Sequence, residues 1–521
     1  MKSFSLTEDE LDALIKRVEA GRLEKADVDI IKAMVNAVKA LSQSVNDKAA
    51  SIKRLLGMVF GPKTEKKKSV CNHSPGDNGK KIDAKKKTRK KGHGKRSVKK
   101  FTGAEKVVVP HETLTHKSPC PLCPNGIVYR QKTPGVVIHF TGQVPIQAVV
   151  YETEKLRCNL CGEIFTAQAP DNKSGRNYDH SAMAMMAILK YGSGLPWYRL
   201  EKLQENMGIP LPASTQWEKT EAAADLIYPI FNEFVRQAAQ GKVLHNDDTT
   251  MKILSLIKEN KEKSNNERTG IFTTGIISLI SGGRRIALFF TGRNHAGENI
   301  ARLYEKRNKG RLPPIQMCDA LSRNTTDEFK VILCNCLTHG RRNFVNIIEN
   351  FPDECTHLIE VLAEVYHNDT HTKKMPMTPE KRLIYHKEHS GPLMAELRSW
   401  LDKQIDDHLV EPNSGLGKAV QYMITHWPEL TRFLEVPGAP LDNNICEQGL
   451  KRVILHRKNS LFYKTEHGAF IGDMFMSLIH TCDLMKINAF DYLTTLLKNA
   501  VELKKNPSLW MPWNYKTASM N

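Results

Sequence analysis

The sequence predicts a multidomain α+β protein, and three observations lead to this expectation. With 521 residues, the chain is long enough for three or four domains of roughly 150 residues each. Two Cys-x-x-Cys pairs fall within a β-rich stretch, which is typical of a small metal-binding module. From residue 242 onwards, short apolar strand patterns are followed by long helical patterns, which indicates a separate and larger core.

Residues 1–60 are predicted to form an N-terminal helical region. Leu11, Leu14, Ile15 and Val18 share one helical face, and a second apolar stripe follows Gly21, which we expect to separate two helices. Two interpretations stay open: an arm that self-associates or contacts DNA, or a helical hairpin that packs on its own chain.

Residues 61–105 are predicted to be a basic, disordered linker. Within residues 61–100 there are 16 lysines and arginines against three acids, so this segment carries +13 of the net charge of +19. It has too little apolar content to offset the entropy cost of ordering. We expect a flexible tether to DNA phosphates; the alternative is a solubilising linker without defined contacts.

Residues 106–170 are predicted to form a zinc-ribbon DNA-binding domain. Cys120 with Cys123 and Cys158 with Cys161 form two knuckles that would complete a tetrahedral, structural Zn²⁺ site. Strand-like runs at 107–109, 135–140 and 146–152 suggest the ribbon. The alternative is four unrelated buried cysteines, and the other seven cysteines are interpreted as reduced thiols that are mostly buried.

Residues 171–240 are predicted to be helical and to resemble a helix-turn-helix. A helix near Trp197–Glu205 is followed by a turn at residues 207–210 and by a second helix with Ser214 as its N-cap. Because short helix pairs occur in any helical region, DNA reading by this pair is only one interpretation.

Residues 241–475 are predicted to form the catalytic domain, and 476–521 a C-terminal helical element. The order is strand, hairpin, strand, helix, strand and a further strand, with Asp247 in the first strand and Asp319 directly after the run 315–318. That is the order of an RNase H-like α/β core. A helical insertion at 341–435 would separate the last strand from the helix that carries Glu447.

Three separated carboxylates beside a basic surface point to metal-assisted phosphodiester chemistry. Asp247, Asp319 and Glu447 would bind Mg²⁺ (or Mn²⁺), because hard cations prefer oxygen ligands. Asp248 and Asp442 are the competing acids. Asp247 is favoured because it forms an Asp-x-Thr motif, and Asp442 is expected to cap the helix of Glu447 instead.

The bulk properties agree with a nucleic-acid partner. A net charge of +19 favours a polyanion. The sequence contains no stretch of about 18 apolar residues, so we predict no membrane span. The acidic, helical N-terminus is unlike a secretion signal. These features predict a cytoplasmic protein with no membrane partner. No phosphate-cradling glycine motif follows a strand, which disfavours a metabolic nucleotide enzyme.

Several motifs together closely resemble transposases of the insertion sequence 66 family. The segment Asp442–Ala469 resembles the catalytic signature of that family, and it reads DNNICEQGLKRVILHRKNSLFYKTEHGA. The segments YGSGLPWYRL, VLHNDDTT, QMCDALSRN and CLTHGRRNF match the family in the same order, and the paired Cys-x-x-Cys knuckles are similar to its zinc-binding domain.

The resemblance implies a bacterial, nucleoid-associated DDE transposase with an RNase H-like domain and divalent-metal chemistry. The family's acids fall on Asp247, Asp319 and Glu447, and its Cys-x-x-His element falls on Cys336 and His339, for which we expect a structural or supporting role. The signature's polar positions fall on residues that would contact DNA or brace the site: Asn443, Asn444, Arg452, Arg457, Lys458 and Asn459. Helix capping and surface charge are the alternative for each.

Two positions depart from the family pattern. Gln448 stands where an arginine usually follows the glutamate, and His456 stands where a glycine usually precedes Arg457. Loss of a cation beside Glu447 would weaken phosphate contact.

The predicted function is that of a DDE transposase, which binds the terminal inverted repeats of an insertion sequence, cleaves DNA and transfers 3′ ends to target DNA. The expected partners are element ends, target DNA, further copies of the chain and possible accessory proteins of the same element. The alternatives are a catalytically silent DNA-binding relic or regulator, and a non-transposing nuclease of the same fold.

Overall fold

The computed structural model describes residues 8–22, 27–28, 30–32, 108–122, 125–130, 142–157, 164–167, 178–263, 267–375 and 377–520. These residues belong to two compact units, one within 74–144 and the other formed by 1–73 and 145–521. The predicted linker at 61–105 lies outside the described residues. So do three of the four predicted zinc ligands, Cys123, Cys158 and Cys161.

The first helix, α1 (Glu8–Glu19), ends two residues before Gly21, which has a φ of +65°. Helical residues resume at Asp27, whose carboxylate is paired with Arg17 at 3.0 Å. The glycine therefore lies between two helical segments, as the sequence predicts.

Two described parts of the predicted ribbon, near the two cysteine pairs, have hairpin geometry. In the 74–144 unit, Lys117 and Val128 are joined by a 2.8 Å backbone bond, and the Cys120 N–H donates to the carbonyl of Gly126 at 2.7 Å. In the other unit, β1 (Lys155–Arg157) pairs antiparallel with β2 (Ile164–Thr166), on either side of the second cysteine pair.

The strands predicted at 107–109 and 146–152 are wrong for the residues that are described there. Val108, Val109 and Val150 form no ladder and are 89%, 83% and 84% exposed. β-Branched residues favour strands mainly when a neighbouring strand or core buries them, and these side chains have no such cover. The run at 135–140 lies outside the described residues.

The helix, turn and helix predicted before the sheet are present. After α2 (His180–Ala187) and a π-helical turn at Ile188–Gly192 come α3 (Trp197–Asn206) and α4 (Ala213–Ala238). Gly208, in the turn between α3 and α4, has a φ of +76°. The predicted Ser214 cap is wrong, because α4 already begins at Ala213, after Pro212, and has no side-chain capping bond.

The central sheet has five strands in the order β5-β4-β3-β6-β7. They are β3 (Val243–Thr250), β4 (Phe272–Leu279), β5 (Arg285–Gly292), β6 (Ile315–Cys318) and β7 (Ile332–Asn335). β3, β4 and β5 are antiparallel neighbours, whereas β6 and β7 run parallel to β3. Two helices connect these strands, α5 (Leu254–Asn260) after β3 and α6 (Ala296–Tyr304) after β5.

A helical region follows β7, and its hydrophobic cluster is shared with residues of β3, β6 and β7. Its members are α7 (Leu337–Val345), α8 (Pro352–Lys374), α9 (Pro379–His389), α10 (Gly391–Asp406), α11 (Gly415–Thr425) and α12 (Trp427–Leu430). Buried Asp369 joins α8 to α9 through a 2.5 Å bond from Arg382.

The chain then returns to the sheet through α13 (Asn444–Ser460) and α14 (Glu466–Leu484), followed by α15 (Ala489–Lys498), α16 (Ala500–Lys505) and α17 (Tyr515–Ala518). Helix α14 runs across the domain boundary predicted between 475 and 476. In the described part of the chain, no helix has the length and apolar character needed to cross a membrane.

Helix α14 closes the exposed edge of the sheet with its side chains. An edge strand presents unpaired N–H groups, and those of alternate residues point outwards. Side chains four residues apart on one helix face match that spacing: Thr481, Ser477 and Asp473 accept from the N–H groups of Ala287, Phe289 and Thr291 at 2.9, 2.9 and 2.6 Å. The edge strand is therefore covered rather than open.

Burial raises the pKa of Asp473 to about 7, although the two bonds from Thr291 oppose that rise. Between about pH 4 and pH 7 the folded state then holds a proton that the unfolded state lacks, so the free energy of unfolding falls as pH rises through this window.

We predict that Asp473→Asn raises the melting temperature at pH 8, because asparagine keeps a carbonyl acceptor for Thr291 without a buried charge. The gain should correspond to a few kcal/mol at most and should vanish near pH 4. Thermal unfolding across pH, with the exposed-site variant Asp406→Asn as control, measures it. A gain that is equal at both pH values would contradict this account.

Candidate active site

Asp247 and Asp319 are brought together by the parallel pairing of β3 with β6. The register pairs Val243 with Ile315 and His245 with Met317, an offset of 72 residues. The same offset separates Asp247 from Asp319, which follows the last residue of β6 directly. The two predicted acids therefore lie opposite each other on adjacent strands.

Asp247 is half-buried and lies in a strongly negative environment. Burial first, and then the charges of Asp248, Asp319 and Glu447, raise its pKa to about 7, although a 2.8 Å bond from the Asp248 N–H opposes the rise. The three predicted acids are thus close enough to repel one another.

Glu447 reaches the site because α13 packs closely on the sheet. Gly275 pairs with Asp247 in the β3–β4 register. A Cβ at Gly275 would lie 3.0 Å from Leu450 of α13, and the Cys446 thiol donates to the Gly275 carbonyl at 3.3 Å. The missing side chain at residue 275 lets the first turn of α13, with Glu447, approach Asp247.

Asn443 fixes the start of α13 against β3. This fully buried amide donates to the Asn246 carbonyl at 3.0 Å, and its oxygen lies 3.1 Å from Nδ1 of His245. Its backbone N–H donates to Sγ of Cys336 at 3.2 Å. Asp442 accepts from the N–H of Asn444 at 3.1 Å, but the N-cap residue of α13 is Asn443, so the predicted cap by Asp442 is wrong.

Helix α7 places a histidine and an arginine beside the acids. His339 lies 3.8 Å from Asp319 through Nε2 and 3.8 Å from Glu447 through Nδ1. Arg342 lies 3.9 Å from the second oxygen of Glu447. Residues three apart share a helix face, so the position of His339 is the sequence signal that could have identified Arg342.

Tyr422, which the sequence did not single out, reaches the site from α11. Its hydroxyl donates to Oδ1 of Asp319 at 3.4 Å. Helix α11 can approach because α7 has Gly340 there, where a Cβ would lie 2.6 Å from Sδ of Met423. In the sequence this tyrosine lies in an ordinary apolar helical stripe, which carries no sign of a polar role.

The competing acid, Asp248, faces away from Asp247. Successive strand residues point to opposite faces of a sheet. The buried carboxylate of Asp248 lies 3.1 Å from His295 and 3.3 Å from Arg323, on the face covered by α6. Asp248 is therefore already paired within the protein, with the Arg323 cation and with His295.

The ligands available at this site favour a hard cation bound by carboxylates over a metal bound by the Cys336 thiolate. Single ligand atoms of Cys336, His339 and Glu447 lie within 4.8 Å of one another. However, burial raises the pKa of the Cys336 thiol to about 12, and a metal needs the thiolate. Oxygens of Asp247, Asp319 and Glu447 match Mg²⁺ or Mn²⁺, and Oε1 of Glu447 is buried without a hydrogen-bond donor among the described residues.

Three of the four residues predicted to bind DNA contact the protein itself. Arg457 donates to the hydroxyls of Thr249 and Thr250 at 3.2 and 2.8 Å, and Arg452 is paired with Asp483. Asn459 donates to the carbonyl of Gly194 at 3.1 Å. Lys458 is exposed.

The two departures from the family pattern lie in different environments. Gln448 is exposed on α13 next to Glu447. His456 is buried between Tyr191 and Tyr463, with ring centroids 6.1 and 4.7 Å away. Burial lowers the pKa of His456 to about 3, so the ring is neutral and packs as an aromatic.

Of the predicted zinc ligands, only Cys120 lies within the described residues. Its Sγ accepts from the N–H of Leu122 at 3.4 Å, at the tip of the 117–128 hairpin.

We predict opposite effects for the two neighbouring aspartates. In metal-free buffer Asp247→Asn should raise the melting temperature, because it removes charge repulsion. Asp248→Asn should lower the unfolding free energy by about 1 kcal/mol or more, since Arg323 and His295 lose their carboxylate.

Thermal unfolding with and without Mn²⁺ measures both effects. Stabilisation by Mn²⁺ should be lost in Asp247→Asn and kept in Asp248→Asn. The reverse pattern would mean that Asp248 is the metal-facing acid.

The chain is similar to known proteins over the region that contains this site. The family model described as the transposase IS66 family matches residues 175–470, which is more than half of the chain. The match includes all five strands, the helical region and all three acids.

Three uncharacterised proteins of Sinorhizobium fredii are similar to the chain. The protein y4jD is 29% identical over 202 residues, which is 38% of this chain and 39% of that protein. The protein y4hP is 23% identical over 72% of this chain and 70% of its own length. The protein y4qI is 22% identical over 64% and 62%. For y4jD and y4qI, the match spans less than two thirds of the relative. On the extent of the family match, the chain belongs to the transposase IS66 family.

Proposed function

We propose that this protein is a DDE transposase that binds the terminal inverted repeats of an insertion sequence, cleaves the DNA there and transfers the 3′ ends to target DNA. The observation that carries the proposal is the convergence of Asp247, Asp319 and Glu447, from two adjacent strands and one helix. Like charges are costly to hold together, so such a cluster suits a site whose negative charge is offset by a bound divalent metal.

The catalytic domain is proposed to be RNase H-like. If β3 is counted as the first strand, the sheet has the order 3-2-1-4-5, with an antiparallel meander followed by two parallel strands. The acids lie on the first and fourth strands of that count and on the helix that follows the helical region.

We assign Mg²⁺ or Mn²⁺ as the cofactor and Asp247, Asp319 and Glu447 as its ligands. When bound, the metal supplies Lewis-acid charge for in-line displacement at phosphorus. The protein's part is orientation: Asn443 fixes the start of α13, Tyr422 holds one oxygen of Asp319, and His339 lies between Asp319 and Glu447. Arg342, beside Glu447, is close enough to attract a phosphate oxygen to the same place.

DNA contacts are proposed for several basic regions. The linker at 61–105, the cysteine-bearing module at 106–170 with structural Zn²⁺, and exposed Lys458 are candidates. For Arg452, Arg457 and Asn459 we favour a bracing role, because each contacts protein groups.

A homo-oligomer is proposed because two element ends must be held at once, with accessory proteins of the same element as possible partners. We place this activity in the bacterial cytoplasm, at the nucleoid, where its DNA substrate is found.

The test is a cleavage and joining assay on a plasmid that carries the DNA flanking this gene. Wild type, Glu447→Gln and the exposed-site control Glu388→Gln are compared with and without Mg²⁺. We predict metal-dependent cuts at the element ends and joined products for wild type and control. Glu447→Gln should lose at least about a hundredfold in rate, because amide oxygen is a neutral and weaker ligand.

Three other outcomes would contradict the proposal. Equal activity of Glu447→Gln would remove this residue from the site. Cleavage without joining would indicate a nuclease of the same fold, and DNA binding without cleavage would indicate a silent DNA-binding protein.

A further inference from the structure

The turn that ends α13 contains a strained, exposed leucine. Leu461 has φ +67° and ψ −43°, and the N–H of Phe462 donates to the carbonyl of Ser460 at 2.8 Å. This is the γ-turn form with positive φ, which is rare and strained. For a bulky side chain, positive φ is a clear outlier.

The strain persists because the chain is fixed on both sides of the turn. The Leu461 N–H still bonds to the carbonyl of Arg457 at 2.9 Å, at the end of α13. Tyr463 then bonds through its N–H to Lys252 and through its carbonyl to Leu254, both at 2.9 Å. The Tyr463 ring is buried and stacks on His456. The surroundings therefore determine the turn, as strained functional sites require.

The strained turn does not serve the hydrophobic core. Leu461 is 61% exposed, Phe462 is 37% exposed, and neighbouring Leu254 is 41% exposed. Three apolar side chains are thus held outwards on a rigid base, at a cost in backbone strain and exposed apolar surface.

The charges around these side chains favour a polyanion as the occupant. Lys252, Lys458 and Lys464 are exposed and lie in the same two short segments. The Ser255 N–H donates to the carbonyl of Lys464 at 3.1 Å, which keeps the two segments together. The acidic residue next to this group in the sequence is Glu466, two residues after Lys464. Exposed apolar side chains flanked by lysines suit duplex DNA, because its bases are apolar and its phosphates are anionic.

We propose that Leu461 and Phe462 form an apolar wedge that inserts between stacked base pairs of the DNA held by this site. Proteins that deform DNA use leucine or phenylalanine in this way to unstack a base step. The proposal rests on the proposed function and adds to it how the chain distorts its substrate near the cut.

The position of the wedge relative to the acids follows from α13. Leu461 comes 14 residues after Glu447 in the same helical segment. At a rise of ~1.5 Å per residue, this is on the order of 21 Å. With ~3.4 Å per base step, the wedge would enter the duplex roughly six steps from the cut.

The test uses the full-length chain and a duplex that contains one end of the element. The fluorescent base 2-aminopurine is placed in turn at each step within about eight positions of the cut. Wild type is compared with Leu461→Gly, Phe462→Ala and the control Leu509→Ala, which truncates an exposed leucine elsewhere. Because glycine accepts positive φ, Leu461→Gly should fold with an unchanged or higher melting temperature.

Bound wild type and control should raise the fluorescence at one or two adjacent steps, whereas the wedge variants should not. With Mg²⁺, the wedge variants should cut matched DNA about tenfold more slowly. A mismatch at that step should restore their rate, because an unpaired base is already easier to unstack.

If the wedge variants cut matched DNA as fast as wild type does, the wedge is wrong and the proposed function is unaffected. The same conclusion follows if a mismatch does not restore the rate of the variants. If the variants change the mass of the oligomer and not the fluorescence, the turn is a contact between copies of the chain. Failure of wild type itself to bind or cut the ends would overturn both proposals.

Discussion

The parallel pairing of β3 with β6 is the constraint on which the candidate site depends. It sets Asp319 opposite Asp247 through a single register. A slip of one residue would turn either acid to the other face of the sheet, where Asp248 already lies against His295 and Arg323. Glycine at position 275 and the bonds of Asn443 then bring Glu447 to the same face.

Holding three acids together opposes stability, and the fold offsets this cost with elements from outside the sheet. Helix α7 brings His339 and Arg342 to the acids, and α11 brings Tyr422. The helical region that interrupts the core thus contributes to the site and also shares a hydrophobic cluster with β3, β6 and β7. At the opposite edge, α14 satisfies the N–H groups of β5, so the sheet ends in a covered strand.

The sequence could predict the five strands, their order and the three acids, because each acid lies in or directly after a local pattern. Contacts between distant segments gave no such signal. Arg457 was expected to face DNA and instead bonds to Thr249 and Thr250, more than 200 residues away. Tyr422 lies 103 residues from Asp319. The strain at Leu461 arises because Tyr463 pairs with the segment after β3, which local propensity cannot reveal.

The central claim is that Asp247, Asp319 and Glu447 together hold the catalytic metal. Anomalous X-ray diffraction from crystals of the protein soaked in Mn²⁺ tests it most directly, because the signal locates the metal independently of activity. The account predicts Mn²⁺ bound by oxygens of Asp247 and Asp319, with Glu447 beside it. Mn²⁺ on Asp248, or a metal held by Cys336 and His339 without the two aspartates, would contradict it.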